Sequence, residues 1–271
     1  MQESKNLLDW TTISAKLNNE PISYKELNST IRNAVNNKKQ RRIKLVDVLG
    51  QRFIGAGLEC SEDNPIEIEV NGTPGNDLGI FMDGPKITVK GNAEDQVGNT
   101  MNNGTIIVEG DCRDVAGFSM RGGRIFVKGN GGYRIGIHMK EYQSQIPSLI
   151  LGGSGKEFFG EYMAGGILIA LGLKFETSHI VNLERAASTN LGSGIHGGRI
   201  YIRGDIPDAF LGVGAIKARF SEEDMKLILP IITEFCKYFR IEADYILEKP
   251  FTKILPESHR PFAGYYTAKP I

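Results

Sequence analysis

Between Gly79 and Gly136 the apolar and polar positions recur every nineteen residues, through GIFMDGPKITVKGNAEDQV, GNTMNNGTIIVEGDCRDVA and GFSMRGGRIFVKGNGGYRI. The residue before each opening glycine is apolar: Leu78, Val97, Ala116, Ile135, Phe159 and Leu191. Three places after it stand Met82, Met101, Met120, Met139 and Met163, with Ile195 in the last copy. A short alternating run precedes each closing glycine, pairing Ile87 with Val89, Ile106 with Val108, Ile125 with Val127, Leu149 with Leu151, Leu168 with Ala170, and Ile200 with Ile202. Alternation of period two inside a longer period predicts one strand per repeat, with the alternate apolar residues and the methionine ladder turned to a common interior.

Glycines punctuate the pattern at Gly79, Gly91, Gly98, Gly110, Gly117, Gly129, Gly136, Gly153, Gly160, Gly172, Gly192 and Gly204, and a half copy, PIEIEVNG, ends at Gly72. They predict structural corners, where a positive φ or a close backbone approach leaves no room for Cβ. Fixed period and fixed corners together predict a mainly β fold: a single-stranded right-handed parallel β-helix of about seven nineteen-residue coils, a solenoid with α-helical caps at both ends.

The flanks lie outside the repeat, so residues 1–58 read as an N-terminal cap, 59–215 as the β-helix and 216–271 as a C-terminal helix and extended tail. In the first flank Ser23 and Glu26 have capping-box spacing, and Leu27, Ile31 and Val35 form the apolar stripe of a helix ending near Asn36 and Asn37. The basic run Lys38–Arg42 reads as a solvated edge, and the residues after it as a strand closed by Gly50. In the last flank Ser221 and Asp224 open a helix whose face carries Met225, Ile228, Ile232, Cys236 and Phe239, with a kink or division expected at Pro230. From Lys249 onward the chain is proline-rich and aromatic, and reads as an extended tail along a surface.

Composition narrows the function classes. Lysine plus arginine and aspartate plus glutamate number 32 each, a balance that gives no general affinity for nucleic acid or an anionic membrane. The three cysteines, Cys60, Cys112 and Cys236, are too far apart for a Cys-x-x-Cys site. With no apolar run long enough to cross a bilayer and no hydrophobic signal segment at the N-terminus, the expected location is the cytoplasm.

Candidate chemistry is sparse. GSGIHG, from Gly192 to Gly197, satisfies G-x-G-x-x-G but opens a strand rather than a helix, so the repeat explains its glycines better than a nucleotide does. Asp95 and Asp114, nineteen apart, would stand one layer from each other, as acids do in sugar-cleaving β-helices; the same slot holds Asn76, Tyr133, Glu157 and Thr189, as a turn position tolerates. The methionines read as packing rather than soft-metal ligands. His138 and His196 lack a matching carboxylate or cysteine slot and read as surface or hydrogen-bonding residues. Catalytic, cofactor-binding and metal-binding residues are therefore none, on this reading.

GTPGNDLG, with Gly72, Gly75 and Gly79, the segment EYMAGGILIALG and the segment GIHGGRIYIRG resemble the GXGXG domain that ends the large subunit of glutamate synthase, in its stand-alone form. The same residues also resemble one of the subunits of formylmethanofuran dehydrogenase. The resemblance implies a right-handed β-helix without catalytic groups, acting as scaffold subunit of a complex that converts glutamine and 2-oxoglutarate to glutamate. FMN and an iron-sulfur cluster are then expected on partner subunits, a class II glutaminase and an FMN-binding synthase, and a homo-oligomer is possible. Gln2 stands where such a glutaminase needs its N-terminal cysteine, which places that activity on another chain. Two alternatives stay open: a scaffold of formylmethanofuran dehydrogenase or N-methylglutamate synthase, and a carbohydrate-active enzyme using Asp95 and Asp114. Docking features are expected in the insertions around Lys140 to Ile146 and Leu173 to Leu191 and in the C-terminal tail.

Overall fold

The computed structural model describes residues 9–258. In chain order they form β1 (Thr11–Ser14), a small hairpin of β2 (Lys16–Leu17) and β3 (Glu20–Pro21), helix α1 (Tyr24–Asn36), then β4 (Arg42–Leu49), β5 (Glu67–Thr73), β6 (Lys86–Val89), β7 (Thr105–Val108), β8 (Arg124–Val127), β9 (Ser148–Leu151) and β10 (Ala164–Ala170). A second hairpin, β11 (Leu173–Phe175) and β12 (Ile180–Asn182), precedes β13 (Gly197–Arg203), β14 (Ala215–Ala218), α2 (Glu222–Phe239), α3 (Ala243–Leu247) and β15 (Phe251–Pro256).

Eleven strands make one sheet in the order β1-β4-β5-β6-β7-β8-β9-β10-β13-β15-β14. Pairing is parallel from β1 to β13 and antiparallel at β15 and β14. The nineteen-residue period is the register itself: Ile87 pairs with Ile106, and Ile106 with Ile125. The segments between strands follow the same rule, with the Gly98 N–H donating to Leu78 and the Gly117 N–H to Val97, both at 2.8 Å.

This architecture corrects the expected fold class. The described residues do not form a single-stranded right-handed β-helix solenoid of about seven coils between helical caps; they form a mixed α/β fold dominated by the eleven-stranded, mostly parallel sheet. Pairing does not stop where the repeat stops, because β1 and β4 join from one flank and β15 and β14 from the other. Free sheet edges are pairing-competent, and antiparallel β15 covers the edge that β13 would otherwise leave open.

Two hydrophobic cores result, one on each face. The first runs from Ile43 to Ile254 through the alternate strand residues, takes in the methionines, and is closed near its start by Leu27, Ile31, Ala34 and Val35 of α1. The second joins Ile107, Phe126, Ile150, Ile169 and Tyr201 of the opposite face to Ile228, Ile232 and Phe235 of α2 and Ile246 of α3. The insertion after Leu173 also serves it, since Leu173 is buried and Phe175 and Ile180 pack against it.

The helices begin as their sequences direct. Ser23 Oγ accepts from the Glu26 N–H at 3.2 Å, and at Ser221 both halves of a capping box with Asp224 are present. Pro230 does not divide α2, which runs unbroken from Glu222 to Phe239; the N–H that proline lacks leaves the carbonyl of the exposed Lys226 to water. The region after Lys249 is not all tail, for Phe251–Pro256 is a strand and Ile254 is fully buried. The rest of that tail, from residue 259, lies outside the described residues.

Candidate functional site

The strand-to-strand segments bond layer to layer, and they carry Asp95, Asp114, His138, His196 and the methionine row. Their interior is apolar. Met82, Met101, Met120, Met139 and Met163 are all 0% exposed, and Ile195 is buried in the same row.

The corner glycines divide into two kinds. Gly72, Gly79, Gly98, Gly117, Gly136, Gly160, Gly172, Gly192 and Gly204 have positive φ, whereas Gly91, Gly110, Gly129 and Gly153 lie outside that region. At Gly98 a Cβ would stand 2.5 Å from Cδ1 of Ile125, the first inward residue of a neighbouring strand. At Gly129 it would stand 2.0 Å from Oδ1 of Asp111 instead. Gly110 and Gly153 meet Asn92 and Asn130 in the same way, while Gly91 has no such close neighbour.

That second set points to side-chain ladders. Asn92 Oδ1 accepts from the Asp111 N–H at 2.9 Å, Asp111 Oδ1 from the Asn130 N–H at 2.6 Å, and Asn130 Oδ1 from the Ser154 N–H at 2.9 Å. A parallel ladder runs from Asp95 Oδ1 to the Asp114 N–H at 3.2 Å and from Asp114 Oδ1 to the Tyr133 N–H at 2.9 Å. Asp95 and Asp114 thus each give one carboxylate oxygen to the backbone of the adjoining layer, and both line one surface cleft of about 610 Å³ with Asp111 and Lys156. The slot has the hydrogen-bonding chemistry expected of a turn, but its partner is the next layer and not the local backbone. The Asn92–Asp111–Asn130 ladder was missed, although its nineteen-residue spacing, each member directly after a glycine, is visible in the sequence.

On the outer side of these segments Phe81, Thr100, Ser119, His138 and Tyr162 occupy one row, all with left-handed φ between 50° and 56°. His138 stacks on Tyr162 with ring centroids 5.3 Å apart and meets Phe118 edge-on at 6.0 Å. Arg134 pairs with Glu161 at 2.8 Å and lies over the Phe158 ring. His196 sits in a different layer, its N–H bonded to the Met163 carbonyl. The insertion from Lys140 to Ile146 folds into a tight turn closed between Tyr142 and Gln145, with both Tyr142 and Ile146 exposed.

The most concentrated polar chemistry is on the opposite face. Asp224, buried at the N-terminus of α2, accepts from the Tyr201 hydroxyl at 2.7 Å and pairs with Lys253 of β15 at 2.8 Å. Burial opposes its ionisation, but Lys253, Tyr201 and the Ser221 N–H and hydroxyl outweigh that and hold the carboxyl down at about 2. Burial, helped by Asp224, pushes the Tyr201 hydroxyl up. Nearby, buried Arg203 donates to the carbonyls of Ile246 and Tyr245 and to Asn182 Oδ1, tying the β11–β12 hairpin to α3. Both clusters join elements, and each polar atom in them is satisfied within the chain.

Cys60 is partly exposed and Cys112 and Cys236 are buried, all as free thiols, with burial pushing Cys112 up to about 12 and Cys236 up to about 11. Among the described residues no three or more His, Cys, Asp or Glu side chains converge as metal ligands. The cysteines present therefore do not fit an iron-sulfur cluster. No helix among the described residues is long and apolar enough to cross a membrane.

Comparison with known proteins matches residues 12–258 to the GXGXG motif family. The chain belongs to that family. The match takes in every residue that carries the resemblance to the C-terminal domain of glutamate synthase, and it does not bear on formylmethanofuran dehydrogenase. A relative is the uncharacterized protein MJ1350 of Methanocaldococcus jannaschii, 49% identical over 250 residues that make up 91% of this chain and 94% of that protein. Within the GXGXG chain these glycines are contact points of the layers: Gly79, Gly98, Gly117, Gly136 and Gly160 each seat an inward Ile or Leu of a strand, and Gly110, Gly129 and Gly153 an Asn or Asp side-chain oxygen.

Proposed function

We propose that this GXGXG chain is a non-catalytic scaffold subunit of a glutamate-synthase-type complex. Its role is to hold a class II glutaminase and an FMN-binding synthase subunit in fixed relation while glutamine and 2-oxoglutarate are converted to glutamate in the cytoplasm. The observation that carries the proposal is the extent of the family match: residues 12–258 belong to one GXGXG unit, and that unit engages its candidate acids in backbone ladders. FMN and an iron-sulfur cluster belong to the partners on this reading. A long sheet locked on both faces supplies rigidity, and its exposed flank supplies area for docking.

Native affinity purification of the full chain, followed by identification of the retained polypeptides, tests the proposal. The expected result is recovery of a glutaminase and an FMN protein, with glutamine-dependent glutamate formation that falls at least tenfold when this chain is withdrawn. Undiminished glutamate formation without it, from partners that assemble normally, overturns the scaffold role.

A further inference from the structure

We infer that the cleft between α1 and the segments carrying Phe53 and Phe81 docks an acidic peptide segment of a partner protein, anchored by an aromatic or large aliphatic side chain. The inference rests on the scaffold reading and names the surface that such a scaffold would use.

The cleft has a volume of 550 Å³ and an apolar floor made by Tyr24, Phe53, Ile80 and Phe81. Tyr24 and Phe53 meet edge to face with centroids 5.6 Å apart, which fixes both rings as walls. Phe81 is 55% exposed with φ 55°, so a large ring is held in a left-handed conformation yet gains little burial for it. The next two layers place the small polar Thr100 and Ser119 at the equivalent position, and the exposed rings further along the row, His138 and Tyr162, stack on each other, whereas Phe81 has no such partner in its row. A preorganised, half-exposed aromatic is the kind of anchor site on which peptide recognition concentrates.

Charge decides the occupant. Lys25 and Arg32 line the rim, and no lining residue is acidic. Arg32 donates to the Ala56 carbonyl at 3.2 Å, and Lys25 has no ion-pair partner among the described residues. An acidic segment satisfies both cations, and an apolar anchor satisfies the floor. Two segments of this chain suit the site poorly: residues 259–271 contain Arg260 and Lys269 and no Asp or Glu, and residues 1–8 balance Glu3 with Lys5.

The experiment installs a photo-crosslinker in the full chain as Phe81→p-benzoylphenylalanine, expressed in the native host, and identifies the crosslinked peptide by mass spectrometry. The expected result is one acidic segment of a co-purifying protein. Lys25→Glu combined with Phe81→Ser should then raise the Kd for that purified protein at least tenfold at an unchanged thermal midpoint, since both side chains are exposed. Lys174→Glu, in the distant β11–β12 hairpin, should leave the Kd unaltered. Crosslinks to residues 1–8 or 259–271, to a second copy, or to nothing while the complex still co-purifies overturn the cleft assignment and leave the scaffold reading standing. Failure of any partner to co-purify overturns both.

Discussion

The face of the sheet that carries α2 changes character half-way along. At one register position it reads Lys44, Glu69 and Thr88 over β4, β5 and β6, then Ile107, Phe126, Ile150, Ile169 and Tyr201 from β7 to β13. The charged half is left to solvent and laced by Arg42–Glu67 and Lys44–Glu69 pairs; the apolar half is covered by α2 and α3. The opposite face shows no such change, with Ile43, Ile68, Ile87, Ile106, Ile125, Leu149, Leu168 and Ile200 filling one row throughout. One row therefore lets layers stack, and the other decides what each layer meets.

The largest effect that tests this contrast comes from one position in two layers. Phe126→Ala should cost about 3–5 kcal/mol, because it empties a fully buried site packed against Tyr238. Thr88→Ala, in the uncovered half, should stay within about 0.5 kcal/mol. Chemical denaturation of the two variants gives both numbers, and similar losses would dissolve the distinction between halves.

A smaller effect belongs to the lock that holds α2 down. With its folded pKa depressed to about 2, Asp224 stabilises the protein fully above the ordinary carboxylate range. That share is lost as pH falls from about 4 towards about 2. Asp224→Asn should therefore lower stability by about 2 kcal/mol at neutral pH, with the gap to the native chain closing in acid. Thermal midpoints measured across that interval check the sign; a gap that persists unchanged at the acid end would assign the loss to packing rather than charge.

How much of this was legible follows from which signals repeat. Nineteen-residue recurrence exposes the inward row, the methionines and the glycines, because each copy restates them. The outward row is not periodic, passing from Lys44, Glu69 and Thr88 to Ile107 and Phe126, so α2 reads as a cap rather than a layer. β15 was hidden for a different reason: its antiparallel partner β13 lies about fifty residues away, and Pro250 just before it and Pro256 at its end argue against a strand. Asp224, Tyr201 and Lys253 come together only through that same pairing. The Asn92–Asp111–Asn130 ladder, by contrast, is legible in the spacing, since each member directly follows a glycine and stands nineteen residues from the next.

That ladder gives the next prediction, which asks whether the layers need the charge or the acceptor. Asp111→Asn keeps an oxygen for the Asn130 N–H and should be close to neutral, whereas Asp111→Ala should cost about 1 kcal/mol. If both variants lose the same amount, the carboxylate's charge matters and the ladder is not a plain hydrogen-bond device.

The smallest effect lies on the charged half itself. Lys44 pairs with Glu69 at 3.1 Å, its side chain 42% exposed; burial pushes the Glu69 carboxyl up, but Asn71 and Lys44, with Lys90 adding to the field, together outweigh it and hold the carboxyl below its ordinary value. An exposed pair of this kind contributes about 0–1 kcal/mol and is screened by salt. Lys44→Ala should thus shift the denaturation midpoint slightly at low ionic strength and not at all near 1 M salt. A loss that survives high salt would mean that this half of the face packs as the other half does, and the division on which α2's placement depends would lie elsewhere in the sheet.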